Sequence, residues 1–408
     1  SVHFSSLVQS RLRRRCQSIL RCCDVDEPLN RSIFDILPSL SLHRLELTHS
    51  IFRDRPRLDI EQTGSQREVQ NRSLPTIKVL KLLSLTEGGQ PSPSFCPQAQ
   101  LISRCPNLQE LFVSSYGHEN TIPQLLSKEF ADNKWPDLHS LHLHGLVFQD
   151  AELKTILESF GQAQLETLSL RDGLFGPLSL AAFEAKNLGE RIKTLNLVRT
   201  TAKEDPPPDE VSRIVQRIME QSPVLESLTV DVLMALDVIK GRNWACTGLR
   251  MLKVDADLGP DDEERLTAGE TKVDSIAKPN AQEQTIGRQL SDNHIDLFTK
   301  NERQRATFRQ LGRLHQLTVL DLTGWHFYGQ WYAWRLNLDL HHGLDQLGEL
   351  VHLKCLYFSK GQSLDMEDLE WMRQHWPNFQ EISRRLHLDT GQQMTLQKTC
   401  AAWGWTLV

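Results

Sequence analysis

Leu138-His139-Ser140-Leu141-His142-Leu143 is followed by Gly145-Leu146-Val147-Phe148, then by Asp150 and the segment Ala151 to Phe160. Leu141 and Leu143 are two residues apart, so they share one face of a strand, and His142 and His144 point the other way. Gly145 to Phe148 turns the chain. Asp150 suits a helix N-cap, and Leu153, Ile156, Leu157 and Phe160 fall on one helical face. Gly161 ends that helix, and Leu165 begins the next apolar hexad.

The same hexad recurs along the chain. It returns as Leu165-Leu168-Leu170 and Ile192-Leu195-Leu197. Conservative variants are Leu42-Leu45-Leu47, Ile77-Leu80-Leu82, Leu108-Leu111-Val113, Leu225-Leu228-Val230, Leu249-Leu252-Val254, Leu317-Leu320-Leu322 and Leu353-Leu356-Phe358. The steps between first positions are 35, 31, 30, 27, 27, 33, 24, 68 and 36 residues. A fixed apolar hexad at this interval marks a leucine-rich repeat solenoid. The expected fold is therefore α/β, a horseshoe with a parallel inner sheet and outer helices.

Proline supplies a second periodic signal. Pro75, Pro106, Pro136, Pro223 and Pro377 each stand two residues before a first apolar position. Proline cannot continue a helix, so each separates an outer helix from the next strand. Gln98 to Arg104, Asp209 to Gln221 and Met366 to His375 are the helix candidates before them, the second opened by Pro206-Pro207-Pro208.

The 68-residue step interrupts the rhythm. From Leu258 to Asn293 the chain is polar, with few aliphatic residues and no aromatic one, which predicts a flexible insertion rather than a degenerate repeat. Four regions follow: an N-terminal helical cap over 1–36, repeats over 37–258, the insertion over 259–293, and a C-terminal helix, repeats and cap over 294–408. Within the last, a helix is expected over Ile295 to Leu314, a weak strand at Phe379 and Ile382, and a closing cap at Trp403 to Val408.

Composition narrows the function classes. The net charge of −6 on 408 residues, from 46 basic and 52 acidic side chains, does not suggest nucleic acid or an anionic membrane. No stretch approaches 18 apolar residues, so no membrane span is expected. Ser1-Val2-His3-Phe4 lacks an initiator methionine and a secretory pattern, which suggests a fragment or a processed product. Eight cysteines, at 16, 22, 23, 96, 105, 246, 355 and 400, form no C-x-x-C pair. Free thiols in a reducing compartment are expected, hence a cytoplasmic or nuclear protein in which the sequons at Asn30 and Asn71 carry no meaning.

The chemistry-bearing clusters each have a plain alternative. His139, His142 and His144 are the densest histidines. A metal site would need a further ligand from Phe112, Ser114, Ser169 or Arg171 on neighbouring strands, and none is suitable; a polar sheet face is the preferred reading. Arg11, Arg13, Arg14 and Arg15 read as the solvated face of an N-terminal helix whose Leu12, Ile19 and Leu20 face the first repeat, ahead of a nucleic-acid site. Asp261-Asp262-Glu263-Glu264 lacks calcium-loop spacing. His341-His342 are read as loop residues. Trp325, Trp331 and Trp334 are read as buried against a repeat ahead of an exposed aromatic platform. No phosphate loop, dinucleotide fingerprint, nucleophile elbow or zinc-protease motif occurs, so neither an enzyme nor a cofactor is expected.

The last hundred residues carry a family likeness. Gln316-Leu317-Thr318-Val319-Leu320-Asp321-Leu322-Thr323-Gly324-Trp325, Gly343 to Leu350 and Asp368 to Pro377 resemble the C-terminal part of a large fungal family of F-box and leucine-rich repeat proteins. The likeness spans Gln304 to Trp405, and the repeats from Leu42 to Val254 resemble the same array more loosely. It implies a substrate-receptor module in ubiquitin ligation, with the F-box on an adaptor and the repeats on the substrate. The Leu-Pro-x-Glu-Ile opening of an F-box is absent from the first forty residues, where Ile36-Leu37-Pro38-Ser39-Leu40 leads into a repeat. An adaptor partner is therefore expected only if an F-box lies upstream of Ser1. The alternative is a stand-alone interaction or inhibitor scaffold of ribonuclease-inhibitor-like fold.

A protein partner is expected on the concave face. One flanking position per repeat gives Glu46, Lys81, Phe112, His142, Ser169, Asn196, Thr229, Lys253, Asp321 and Tyr357. The next row includes Leu83, Arg171, Asp231 and Asp255. Mixed charge signs and two aromatics suit a specific protein better than a polyanion. By residue type, Phe112, Arg171 and Tyr357 are the expected hot spots.

Overall fold

In a computed structural model, one backbone carbonyl per repeat accepts two N–H groups from the next. His43 O takes Lys78 N and Val79 N at 2.9 and 3.1 Å, Lys78 O takes Gln109 N and Glu110 N, and Gln109 O takes His139 N and Ser140 N. His139 O and Glu166 O continue the series. The device recurs at Glu226, Arg250, Thr318 and Lys354. Each shared carbonyl lies between the first and second apolar positions of its hexad, so the sequence repeat is also a hydrogen-bond repeat.

The structure describes residues 19–22, 42–48, 73–85, 101–115, 121–132, 135–161, 165–198, 208–259, 299–323, 336–358, 362–387 and 389–408. The chain divides into unit 1, Ser1–Pro206, and unit 2, Pro207–Val408. Unit 1 holds β1 (Ile19–Cys22), β2 (Arg44–Thr48), β3 (Val79–Leu85), β4 (Glu110–Ser115), α1 (Thr121–Asp132), β5 (Ser140–His144), α2 (Asp150–Ser159), β6 (Thr167–Arg171), α3 (Pro177–Ala185) and β7 (Thr194–Val198). Each strand runs parallel to the next in chain order.

Unit 2 holds α4 (Pro208–Gln221), β8 (Ser227–Met234), α5 (Ala235–Lys240), β9 (Met251–Asp257), α6 (Lys300–Gly312), β10 (Val319–Leu322), β11 (Cys355–Phe358), α7 (Met366–His375), β12 (Glu381–Ile382), α8 (Thr390–Ala402) and β13 (Thr406–Leu407). Its strands are likewise parallel and paired in chain order. Both units are thus α/β with all-parallel pairing, as βα connections require.

The apolar positions stack in register. Leu45, Leu80, Leu111, Leu141, Leu168 and Leu195 face one another across β2 to β7 and are at most 1% exposed. In unit 2 the matching row is Leu228, Leu252, Leu320, Leu356 and Ile382, all at 0%. Each such leucine contributes roughly 1.5–3 kcal/mol by leaving water. Helix α2 lies on this side: a side-chain carbon added at Gly173 would touch Leu153 of α2 and Leu170 of β6, at 3.5 and 3.9 Å.

Helix ends show how repeats are tied together. Gln149, not Asp150, caps α2, in a reciprocal pair with Glu152. The expected capping role of Asp150 is corrected by its reach into the following repeat. Its carboxylate accepts from Gly176, Leu178 and Ser179 N–H at 2.8–2.9 Å, filling the open amides at the start of α3. A side chain at Gly176 would meet Asp150 Oδ2 at 2.6 Å, so glycine is needed there. Other links are Asn107 Nδ2 to Pro75 O, Asn378 Nδ2 to Val351 O, and Trp135 Nε1 to Cys105 O.

Several expectations need correction. Ile19–Cys22 is a strand, where the sequence predicts a helix face with Ile19 and Leu20 in it. Leu20 and Cys22 take the register places of Leu45 and Leu47, so β1 continues the ladder. The rest of the proposed 1–36 cap, including Arg11 to Arg15, lies outside the described residues. Leu258 is fully buried, and Arg303 Nη1 donates to its carbonyl at 3.3 Å, so the proposed insertion cannot begin there. The described chain runs on through Gly259; residues 260–298 lie outside it, as do Trp325, Trp331 and Trp334. The helix expected from Ile295 has Thr299 as its cap, with Glu302 in reciprocal hydrogen bonds. His341 and His342 belong to a short 3-10 turn, Leu340–His342. The C-terminal cap contains a helix that the sequence did not predict, α8, followed by one more parallel strand.

Candidate functional site

Side chains flanking the last leucine of each hexad point away from the buried row, because strand side chains alternate. In unit 1 the register joins Glu46, Lys81, Phe112, His142, Ser169 and Asn196 in one unbroken row. In unit 2 it joins Thr229, Lys253, Asp321 and Tyr357. Apart from buried Ser169, these residues are neither buried nor fully exposed. The structure thus brings together, unit by unit, residues chosen singly from the sequence.

The second row departs from expectation. Arg171 lies beside His144 and Val198, in register. Asp231 and Asp255 do not match each other, since the register of β8 and β9 shifts between Thr229 and Val232 and Val232 takes the place opposite Asp255. Asp231 lies within the shift and is buried at 8% exposure. Leu83 sits within a similar shift between β3 and β4. An extra residue on one strand breaks a row without changing the period-two pattern of its sequence.

At the centre of unit 1's row stands the Phe112 ring. His142 stacks on it at 5.4 Å, His144 meets it edge-on at 4.7 Å, and Lys81 Nζ lies 5.9 Å from its centre. His142 Nε2 pairs with Ser140 Oγ, and His144 Nε2 with Ser169 Oγ, both at 2.9 Å. Burial pushes the His142 pKa down, and Lys81 adds to this while Glu110 opposes it. Burial, then His142 and Arg171, pushes His144 down to about 4. Both rings are therefore neutral at pH 7.

Unit 2's row is polar and pairs within itself. Lys253 Nζ lies 2.7 Å from Asp321 Oδ2, and Asp321 Oδ1 also accepts from Thr323 N and Oγ1. Tyr357 donates its hydroxyl to Glu381. Burial, followed by that hydrogen bond, raises the Tyr357 pKa, so the phenol stays protonated. Ser140, Glu110 and Glu381 were not among the predicted residues; Ser140 and Glu110 each lie two positions before a predicted one, and Glu381 is in register with Cys355, two positions before Tyr357. Same-face spacing was the signal for them.

Among the described residues no group of three His, Cys, Asp or Glu is placed to hold a metal ion. Cys105, Cys246, Cys355 and Cys400 are free thiols. Burial pushes Cys105 and Cys246 up to about 12 and Cys400 to about 11, which keeps them protonated and unreactive. No helix among the described residues is long and apolar enough to cross a membrane. No family model matches the chain, and no curated protein matches it.

Proposed function

We propose that this chain is a non-enzymatic leucine-rich repeat solenoid that binds another protein on the face opposite its leucines. The observation that carries this reading is the unbroken register row Glu46, Lys81, Phe112, His142, Ser169 and Asn196, with its unit 2 counterpart Thr229, Lys253, Asp321 and Tyr357. Such rows present one variable side chain per repeat at strand spacing, which suits recognition of an extended surface. Their mixed charges favour a protein over nucleic acid or a membrane surface. The likeness of Gln304 to Trp405 to F-box and leucine-rich repeat proteins supports a substrate receptor in ubiquitin ligation, in the cytoplasm or nucleus. No cofactor or metal enters this role.

The test is affinity capture with wild type and a Phe112→Ala, Arg171→Ala, Tyr357→Ala variant whose circular dichroism matches wild type. Loss of the wild-type partners supports the face; their undiminished recovery places the site elsewhere. Co-purification of a ubiquitin-ligase adaptor with the natural product supports the receptor role. Retained partners without an adaptor would instead indicate a stand-alone scaffold.

A further inference from the structure

The Phe112 cluster has a polarity that specifies its partner more closely. Lys81 and Glu110 act on His142, while His142 and Arg171 act on His144. The strands beside them contribute Phe112 and Ser114 from β4 and Ser169 from β6, none of which is charged. Arg171 has a partner of its own, so Lys81 is the cation left to consider. Each imidazole spends Nε2 on a serine, and neither Nδ1 makes a hydrogen bond among the described residues. Among the described residues, Glu110 is the only carboxylate acting on either ring, and it acts on His142 alone.

An apolar ring flanked by an ammonium and two uncommitted imidazole nitrogens complements a carboxylate-bearing side chain next to an apolar one. We propose that the Lys81, Phe112, His142 and His144 cluster receives an acidic segment of the protein partner, and that docking is coupled to proton uptake on the imidazoles. This rests on the face being a protein-binding surface. A partner carboxylate would supply the counter-charge that His144 lacks and add to that of Glu110 beside His142. The rings would then gain protons on binding that they do not hold in the free protein. By linkage, affinity rises as pH falls toward the pKa of the free rings.

The experiment uses the full chain and an array of synthetic dodecamer peptides in acidic, neutral and basic sets, each carrying one phenylalanine. Retention is measured at pH 7.5 and 6.0. The expected result is preference for acidic members, with higher affinity at pH 6.0 than at pH 7.5. Phe112→Ala should abolish retention, and a His142→Asn, His144→Asn variant should keep weak retention that no longer depends on pH. Thermal melts of both variants check that they fold. Neutral or basic peptides held as well as acidic ones, yet lost in Phe112→Ala, would overturn the acidic chemistry and leave the face intact as a binding surface. Retention of no peptide, or pH-independent retention by wild type, overturns the proposal as well. Acidic-peptide retention unchanged by any substitution on the face would overturn both this proposal and the face itself.

Discussion

Unit 1 connects its strands through helices, α2 packing between α1 and α3. Unit 2 has the same leucine row but includes, at 336–339, backbone that is neither helix nor strand. Gln304, on α6, clamps Asn337: its Oε1 accepts from Asn337 N at 3.0 Å, and its Nε2 donates to Asn337 O at 2.7 Å. Gln362 treats the next stretch alike, accepting from Leu338 N and donating to Leu336 O, both at 2.8 Å. Asp368 accepts from Leu340 N. Both glutamines are buried. Their amides supply the donor and acceptor that a neighbouring strand would have offered. The leucine row is thus compatible with neighbouring segments satisfied by their own backbone and with one satisfied by side chains.

If the ladder is the common element, breaking it should cost the same in either unit. Leu168→Asp and Leu320→Asp each bury an unpaired carboxylate in a fully packed row, at a cost of at least about 4 kcal/mol. Because each leucine is stacked between those of the adjacent strands, each change should remove much of the helical signal of its unit, with a large drop in melting temperature. A circular dichroism melt of either variant that overlays wild type would remove the ladder from the account. A large loss for one and a small loss for the other would show that the units do not share it equally.

The clamped segment should respond differently. Gln304→Ala and Gln362→Ala each strip hydrogen-bond partners from backbone groups in unit 2, at about 2 kcal/mol apiece. Hydrogen exchange gives the sharper readout. Gln304→Ala should expose the Asn337 amide while Leu338 keeps its protection, and Gln362→Ala should do the reverse. Equal exchange of both amides in either variant would mean that the segment opens as one piece and the clamps are not separate.

The same contrast explains what was legible in the sequence. Inner strands could be read because Leu-x-x-Leu-x-Leu states their face and register together. Helix α7 was predicted with the bounds it has, and α4 within one residue, because proline marks the end of the one and the start of the other. Strand β1 escaped because Gln17 stands where other repeats carry leucine or isoleucine, and Cys22 where they carry a third apolar residue. Helix α8 escaped because it is rich in threonine and glutamine and buries only Leu396 and Cys400. The clamped segment alternates like a strand, Leu336-Asn337-Leu338-Asp339-Leu340, but its backbone partners are two glutamines distant in sequence, which no local pattern marks. On the face, alternation gave the first row, while the shifts at Leu83 and Asp231 left no mark in residue type.

The smallest expected effect separates the units by the sign of their response to pH. In unit 1, His144 has a folded pKa of about 4 against an ordinary value of 6.5, chiefly through burial. Between those values the unfolded chain holds more protons on this group than the folded one, so stability falls as pH drops from 6.5 toward 4. His142 is shifted in the same direction. In unit 2, burial, with Asp365 and Asp339 nearby, raises Asp368 from 3.8 to about 6, against the opposing pull of the Asp365 and Leu340 amides. Here the folded chain holds the extra proton, so stability falls as pH rises from 3.8 toward 6. The windows overlap and the slopes oppose, so wild type alone would show little net change from these groups. Melting temperatures at intervals between pH 4 and 7 for His144→Asn and Asp368→Asn resolve them. Relative to wild type, His144→Asn should gain as pH falls, and Asp368→Asn should gain as pH rises, whatever constant loss either variant carries. Curves that stay parallel to wild type across this range would show that neither group is buried enough to couple its proton to folding.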